Sequence, residues 1–166
     1  PLGMKSACFT PDAAIVNGGR LIPPTFLRRS REEAAKLEEA VVSPQTSAAL
    51  RYLLRLNVEK GSGRRADVPG YLVAGKTGTA ETVENGRYSA TKRLNSFLAA
   101  FPMDDPQYIV LTIADEPKPE KPGMGATAAS NAGIMARNII ARSATMLGVK
   151  PDFSHENGAT LVSLDE

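Results

Sequence analysis

Tyr71-Leu72-Val73-Ala74-Gly75-Lys76-Thr77-Gly78-Thr79-Ala80-Glu81 is the stretch on which the fold turns. It reads as a β-strand, near 71–81. Asn85-Gly86 follows as a strong turn signal. Asn95-Ser96-Phe97-Leu98-Ala99-Ala100-Phe101 then reads as a second strand, near 94–102. Pro102 to Pro106, with Asp104-Asp105-Pro106 inside it, is a turn. Tyr108-Ile109-Val110-Leu111-Thr112-Ile113 opens a third strand near 108–116, rich in β-branched residues. Successive strands with short connections predict an antiparallel meander.

Beyond the strands, Pro117, Pro119 and Pro122 forbid regular structure. A long helix is predicted over 127–148. Its apolar face is Ala128, Ala132, Ile134 or Met135, Ile139, Ala144 and Met146, and Gly148 ends it. From Val149 to Glu166 the chain is polar, with Gly and Pro, and is expected as a flexible tail.

Upstream, Ser43-Pro44 starts a helix with Ser as N-cap and Pro in the first turn. Ala48, Leu50, Leu53, Leu54 and Leu56 follow at near-helical spacing, and Gly61 and Gly63 close it. Gly61-Ser62-Gly63-Arg64-Arg65 is expected as a mobile loop. It is glycine-rich, but no strand precedes it and no helix follows, so it is not read as a phosphate cradle. Thr10-Pro11-Asp12 opens a short helix that Asn17-Gly18-Gly19 ends, because Gly accepts the left-handed turn. Arg20-Leu21-Ile22 is a candidate short strand, stopped by Pro23-Pro24. Ser30 to Ala40 is charged and reads as a solvated loop in preference to a surface helix.

The bulk numbers exclude several classes. The 166 residues suit one domain. With 20 basic and 18 acidic residues the net charge is +2, which calls for neither nucleic acid nor an anionic membrane. The basic pairs Arg28-Arg29 and Arg64-Arg65 are short and separate, as on a solvated surface. One cysteine, Cys8, excludes an internal disulfide. As a catalytic thiol it wants a histidine, and the single His155 lies in the predicted tail, so an incidental or small buried Cys is the simpler reading. No apolar stretch approaches the roughly 18 residues of a membrane span. Neither is there a signal peptide. Any targeting segment is thus expected outside this chain. Pro1-Leu2-Gly3 ahead of Met4 is expected to be a cloning remnant outside the fold.

The sharpest chemical signal is Lys76-Thr77-Gly78, a K-T-G tripeptide on a predicted strand. Three letters are weak alone. Two further strands and a long helix follow it, which is the order found around this motif in penicillin-binding proteins and serine β-lactamases. Val73-Ala74-Gly75-Lys76-Thr77-Gly78-Thr79-Ala80-Glu81 and Asn95-Ser96-Phe97-Leu98-Ala99-Ala100-Phe101-Pro102 resemble the division-specific class B penicillin-binding proteins, the septal peptidoglycan D,D-transpeptidases. Ile109-Val110-Leu111 and Asn17-Gly18-Gly19 with Pro23-Pro24 are similar to the same group, and the resemblance runs from about Ile15 to Gly148.

That resemblance implies an α/β fold, the C-terminal portion of the penicillin-binding protein and serine β-lactamase-like domain. Helices would pack on an antiparallel sheet, with residues 4–148 forming a partial transpeptidase domain. The implied reaction cross-links stem peptides at D-Ala-D-Ala through a serine acyl-enzyme that penicillin traps. Lys76 would supply a positive charge to the substrate carboxylate. Thr77 and Thr79, on one strand face, would hydrogen-bond it. Gly78 would let the peptide lie close alongside as an added strand. The Thr79 backbone N–H would be one of two oxyanion donors. No cofactor and no metal are implied. Stem peptide and β-lactams are the implied ligands of a complete domain, and division-machinery proteins the implied partners. The implied location is the periplasmic face of a bacterial inner membrane.

The nucleophile is not found. The reaction needs Ser-x-x-Lys on a helix, so that Lys can take the Ser proton. Ser89-Ala90-Thr91-Lys92 fits the letters but follows K-T-G and lies beside Asn85-Gly86, in an expected strand connection, so it is rejected. No Ser-x-Asn occurs. Before Asn17 a longer Ala-rich helix is expected from the family, whereas Lys5 to Phe9 matches none of its pattern. The isolated chain is therefore expected to be inactive. The alternatives are a binding or scaffolding module of the division machinery, or the related β-lactamase or penicillin-sensor class. A partial domain would also expose apolar surface that favours self-association.

Overall fold

The computed structural model describes residues 11–84, 86–119 and 125–154. Cys8, the Thr10 cap, the 1–3 remnant, Asn85, Pro122, His155 and the tail from 155 lie outside the described residues. The chain divides into two compact units, with the boundary between Leu53 and Leu54.

In the first unit residues 11–16 form helix α1. Gly18 and Gly19 end it with φ of 66° and 85°, the left-handed region that glycine enters without steric cost. Gly19 also has no room for a side chain, since an added Cβ would collide with the Val42 carbonyl. Strand β1 (Arg20–Leu21) pairs antiparallel with β2 (Glu39–Ala40), and the Arg20 guanidinium meets the Glu38 carboxylate. The pairing stops before Pro23-Pro24, as their missing donors require.

Between these strands the expected loop is corrected: Arg31–Ala35 is a helix, α2. A capping box starts it. The Glu33 N–H donates to Ser30 Oγ at 3.1 Å, and the Ser30 N–H donates to the Glu33 carboxylate at 2.8 Å. Ser30-x-x-Glu33 is the sequence signal for it. The Ser30 N–H first, and the Ser30 hydroxyl after it, hold the Glu33 carboxylate pKa below its ordinary value. A depressed carboxylate stabilises the helix start above its unfolded pKa, and the effect is lost as pH falls through the folded one. Amide protection factors in α2, with the intrinsic pH dependence of exchange divided out, are therefore expected to fall on acidification through that range, and Glu33→Gln should abolish this pH dependence.

Helix α3 (Pro44–Lys60) begins as its sequence requires, with the Thr46 N–H donating to Ser43 Oγ at 3.1 Å. Ser47 is buried and donates to the Ile15 carbonyl. Among the apolar residues expected to line α3, Leu53 is exposed, while Val58 near its C-terminus is buried. Gly61 ends the helix, its N–H donating to Asn57 O at 2.9 Å. The expected mobile loop 61–65 is instead a turn bound to Asn57 that runs into a 3₁₀ turn, Arg64–Ala66.

The second unit is built on the predicted meander, an antiparallel sheet of order β3-β4-β5. β3 (Ala74–Glu84) begins later than the predicted 71–81, because Leu72, with φ of 43°, turns the chain before Ala74. β4 (Arg87–Phe101) is longer than the predicted 94–102. Glu84 pairs with Arg87, and Gly86 has φ of 76°. β5 is Tyr108–Asp115.

Alternate β4 residues Asn95, Phe97, Ala99 and Phe101 are fully buried on one sheet face. That face packs on α4 (Ala132–Ser143), which is shorter than the predicted 127–148. Thr127 and Ser130 bond to one another in a turn, and Asn131 caps the helix by accepting from the Ala132 N–H at 2.6 Å. Beyond Ser143 a turn continues to Gly148, with φ of 83°. The buried stripe is Ala132, Ala136, Ile140 and Ala144, at intervals of four; Met135, Ile139 and Met146 of the expected face are exposed. Small alanines let the helix approach the sheet, so the bulk comes from Phe97 and Phe101. The buried Thr112 Oγ1 donates to the Ala132 carbonyl at 2.7 Å and joins β5 to the start of α4. The first residues of the expected tail pack down: Val149 is buried, and the Asp152 N–H donates to Gly70 O at 2.7 Å.

Candidate active site on the edge of β3

β3 is an edge strand, and its backbone alternates between β4 and the open side. The Gly75 carbonyl accepts from Asn57 Nδ2 at 2.8 Å and the Thr77 carbonyl from Lys76 Nζ at 2.8 Å. Odd-numbered residues therefore aim their polar backbone away from β4. By the same alternation the Thr79 N–H points to that open edge.

Lys76 pairs with Leu98, and Thr77 with Phe97, so their side chains leave β3 on opposite faces. They meet again at the edge: Lys76 Nζ lies 3.3 Å from Thr77 Oγ1. Lys76 is exposed, and so is Thr79. Thr77 and Thr79 share a face, as their spacing requires. An added Cβ at Gly78 would collide with Ser96 Oγ on the sheet's other face. The structure thus brings Lys76, Thr77, Gly78 and Thr79 to one edge that no other strand among the described residues covers, with a cation, hydroxyls and an outward amide.

Several residues of this region were not singled out from the sequence. Asn57 and Ser62 hold the β3 edge from the end of α3. Ser62 Oγ lies 3.1 Å from Thr77 Oγ1. Their partners are 15 and 18 positions away, beyond the reach of any local pattern. Asn95, opposite Thr79, is fully buried; its Nδ2 donates to Ala126 O at 2.8 Å, and its Oδ1 has no partner among the described residues. A polar residue at a position alternating with Phe97, Ala99 and Phe101 was its only signal.

Ser89 and Lys92 stand elsewhere. They belong to β4 and not to a loop, at the register irregularity where Thr82 lies between the paired Glu81 and Val83. Ser89 Oγ accepts from the Lys92 N–H at 3.2 Å, and the Lys92 ammonium pairs with Glu116 at 3.3 Å. This is not the helical turn that a Ser-Lys acylation pair needs. No helix among the described residues is long and apolar enough to cross a membrane.

Comparison with known proteins gives this edge its context. The penicillin binding protein transpeptidase domain matches residues 12–141. Stage V sporulation protein D of Bacillus subtilis is 37% identical over 148 residues, covering 84% of this chain and 22% of that protein. The probable peptidoglycan D,D-transpeptidase FtsI of Caulobacter vibrioides is 40% identical over 147 residues, covering 82% of this chain and 25% of its own length. The chain thus spans a quarter or less of these two relatives. Among solved structures, the apo transpeptidase domain of Burkholderia pseudomallei penicillin-binding protein 3 superposes with a TM-score of 0.73 at 29% identity, over 86% of this chain and 42% of that one. Penicillin-binding protein 3 of Mycobacterium tuberculosis, solved in complex with ampicillin, gives 0.66 at 27%, over 90% and 35%. The strand carrying Lys76-Thr77-Gly78-Thr79 and the meander behind it are therefore those of the transpeptidase domain of class B penicillin-binding proteins, the family to which this chain belongs.

Proposed function

We propose that the protein carrying this chain is a peptidoglycan D,D-transpeptidase of bacterial cell division, working on the periplasmic face of the inner membrane. The observation that supports this most is the outward edge of β3, where Lys76 Nζ and Thr77 Oγ1 stand 3.3 Å apart. A stem peptide ending in D-Ala-D-Ala carries a carboxylate. Laid along β3 as an added strand, it brings that carboxylate to the Lys76 ammonium and the Thr77 and Thr79 hydroxyls, as charge-assisted hydrogen bonds.

The same placement sets the penultimate D-Ala carbonyl against the Thr79 N–H. This amide stabilises the oxyanion that forms when a serine hydroxyl attacks. The serine oxygen bonds to the carbonyl carbon, its proton passes through a lysine to the leaving amine, and D-Ala departs. An acceptor amine then displaces the serine and restores its proton. The serine and its lysine come from residues outside this chain, since Ser89 and Lys92 sit in a strand irregularity. β-Lactams present a carboxylate and a strained amide in the same arrangement and stall after acylation.

The test is labelling by a fluorescent penicillin. The gene product at its natural length is expected to form a stoichiometric covalent adduct, visible by mass spectrometry, and the isolated chain none. A folded natural-length protein that stays unlabelled overturns the assignment.

A further inference from the structure

Gly61-Ser62-Gly63 is a glycine-flanked serine that the transpeptidase reading leaves without a role. Its surroundings are specific. Asn57 Nδ2 donates to Gly75 O at 2.8 Å, while Asn57 Oδ1 accepts from the Ser62 N–H at 3.2 Å. A carbonyl needs a donor and an N–H needs an acceptor, so these two backbone groups fix which way the Asn57 amide faces. Both glycines wrap this amide: an added Cβ at either would press on Asn57.

The consequence falls on the hydroxyls. Ser62 Oγ lies 3.2 Å from Asn57 Oδ1 and 3.1 Å from Thr77 Oγ1. Asn57 Oδ1 can only accept, so Ser62 spends its single proton there. Thr77 must then donate to Ser62, while its oxygen accepts from Lys76 Nζ. In this arrangement the Thr77 proton is already committed and is not available to a carboxylate.

We propose that Ser62 is a positioning residue that releases the Thr77 proton to the carboxylate of the incoming peptide or β-lactam. On binding, Thr77 turns its O–H to the carboxylate. Ser62 turns its own from Asn57 to Thr77 Oγ1, which strengthens Thr77 as a donor. Asn57 Oδ1 keeps the Ser62 N–H throughout, so no buried group is orphaned by the exchange. Only two hydroxyl protons rotate, and no covalent bond changes. The inference rests on the proposed binding of a carboxylate at β3.

The test uses the natural-length protein, Ser62→Ala, Ser62→Thr and Thr77→Val, with penicillin acylation rates followed against penicillin concentration. Ser62→Ala removes the acceptor that holds the Thr77 proton at rest and spares the loss of the Ser62–Asn57 bond, so it is expected to lower the concentration for half-maximal acylation rate about threefold, the effect of one neutral hydrogen bond, with the limiting rate little changed. Ser62→Thr keeps the hydroxyl and should restore the wild-type value. Added to Thr77→Val, Ser62→Ala should have no further effect. The same should hold for a penicillin whose carboxylate is esterified. Wild-type labelling with no change in Ser62→Ala overturns the relay alone. So does a rise in that concentration, or a change that persists with the esterified penicillin or on Thr77→Val, since either marks a general loss of structure. An unlabelled wild type overturns the transpeptidase reading and the relay with it.

Discussion

Lys76→Ala, made in the protein at its natural length, is expected to lower the second-order rate constant of penicillin acylation by about 10²–10³-fold, the size of losing one partner of a desolvated, hydrogen-bonded charge pair. The lysine stands on the open edge of β3 with its ammonium bonded to the Thr77 carbonyl at 2.8 Å. Docking a carboxylate there removes water from both charges and makes their attraction stronger than at a free surface. Lys76→Arg should recover only part of the loss, because a planar guanidinium does not occupy the place of a compact ammonium. Folding should be nearly untouched, within about 0.5 kcal/mol, since the residue is exposed and its hydrogen bonds among the described residues are to its neighbour Thr77. Stopped-flow acylation with a chromogenic cephalosporin measures the rate. A rate within a few-fold of wild type would place the carboxylate somewhere other than on β3.

The second large effect is on stability. Phe97→Ala is expected to cost about 3–5 kcal/mol, read as a lower midpoint in denaturant unfolding. Phe97 is 0% exposed, at the centre of the cluster formed by Val58, Val73, Ala132, Ala136 and Ile140. These neighbours are mostly small and are held by α3, by the segment before β3 and by α4, so none can move in to fill the cavity. Gly75 shows the same packing from the other side. An added Cβ there would collide with the Phe97 ring and the Leu98 carbonyl, so Gly75→Ala should also destabilise. Phe97 pairs directly with Thr77, so the ring that fills the core also supports the strand carrying the candidate site. A loss below about 1 kcal/mol for Phe97→Ala would mean that the sheet and α4 close over the gap.

Much of this was legible locally. Ser43-Pro44 announces the start of α3, and Gly18-Gly19 the end of α1, because caps and left-handed turns depend on a few adjacent residues. The apolar runs at Phe97 and Ile109 mark β4 and β5, since burial on a sheet repeats every second residue. Ser30-x-x-Glu33 likewise carried α2 in its letters. Other features had no local signature. The first half of β4 is polar and charged, and it is a strand because Glu84 and Val83 of β3 pair with Arg87 and Tyr88. Helix α4 starts at Ala132 and not at Thr127 because the Thr127 and Ser130 hydroxyls tie the preceding residues into a turn.

The amino-acid sequence on its own determined which strand carries the chemistry, that a meander and a helix follow it, and that Lys76, Thr77 and Thr79 occur at alternating and adjacent positions. Periodicity and turn chemistry suffice for that, because each acts within a few residues. Only the tertiary structure decided that β3 is an edge, that its odd residues turn their amides outward, and that Asn57 and Ser62 reach it from the end of α3. Those facts depend on groups 15 to 18 positions apart being brought within hydrogen-bond distance by a shared core, and no local pattern encodes a distance of that kind.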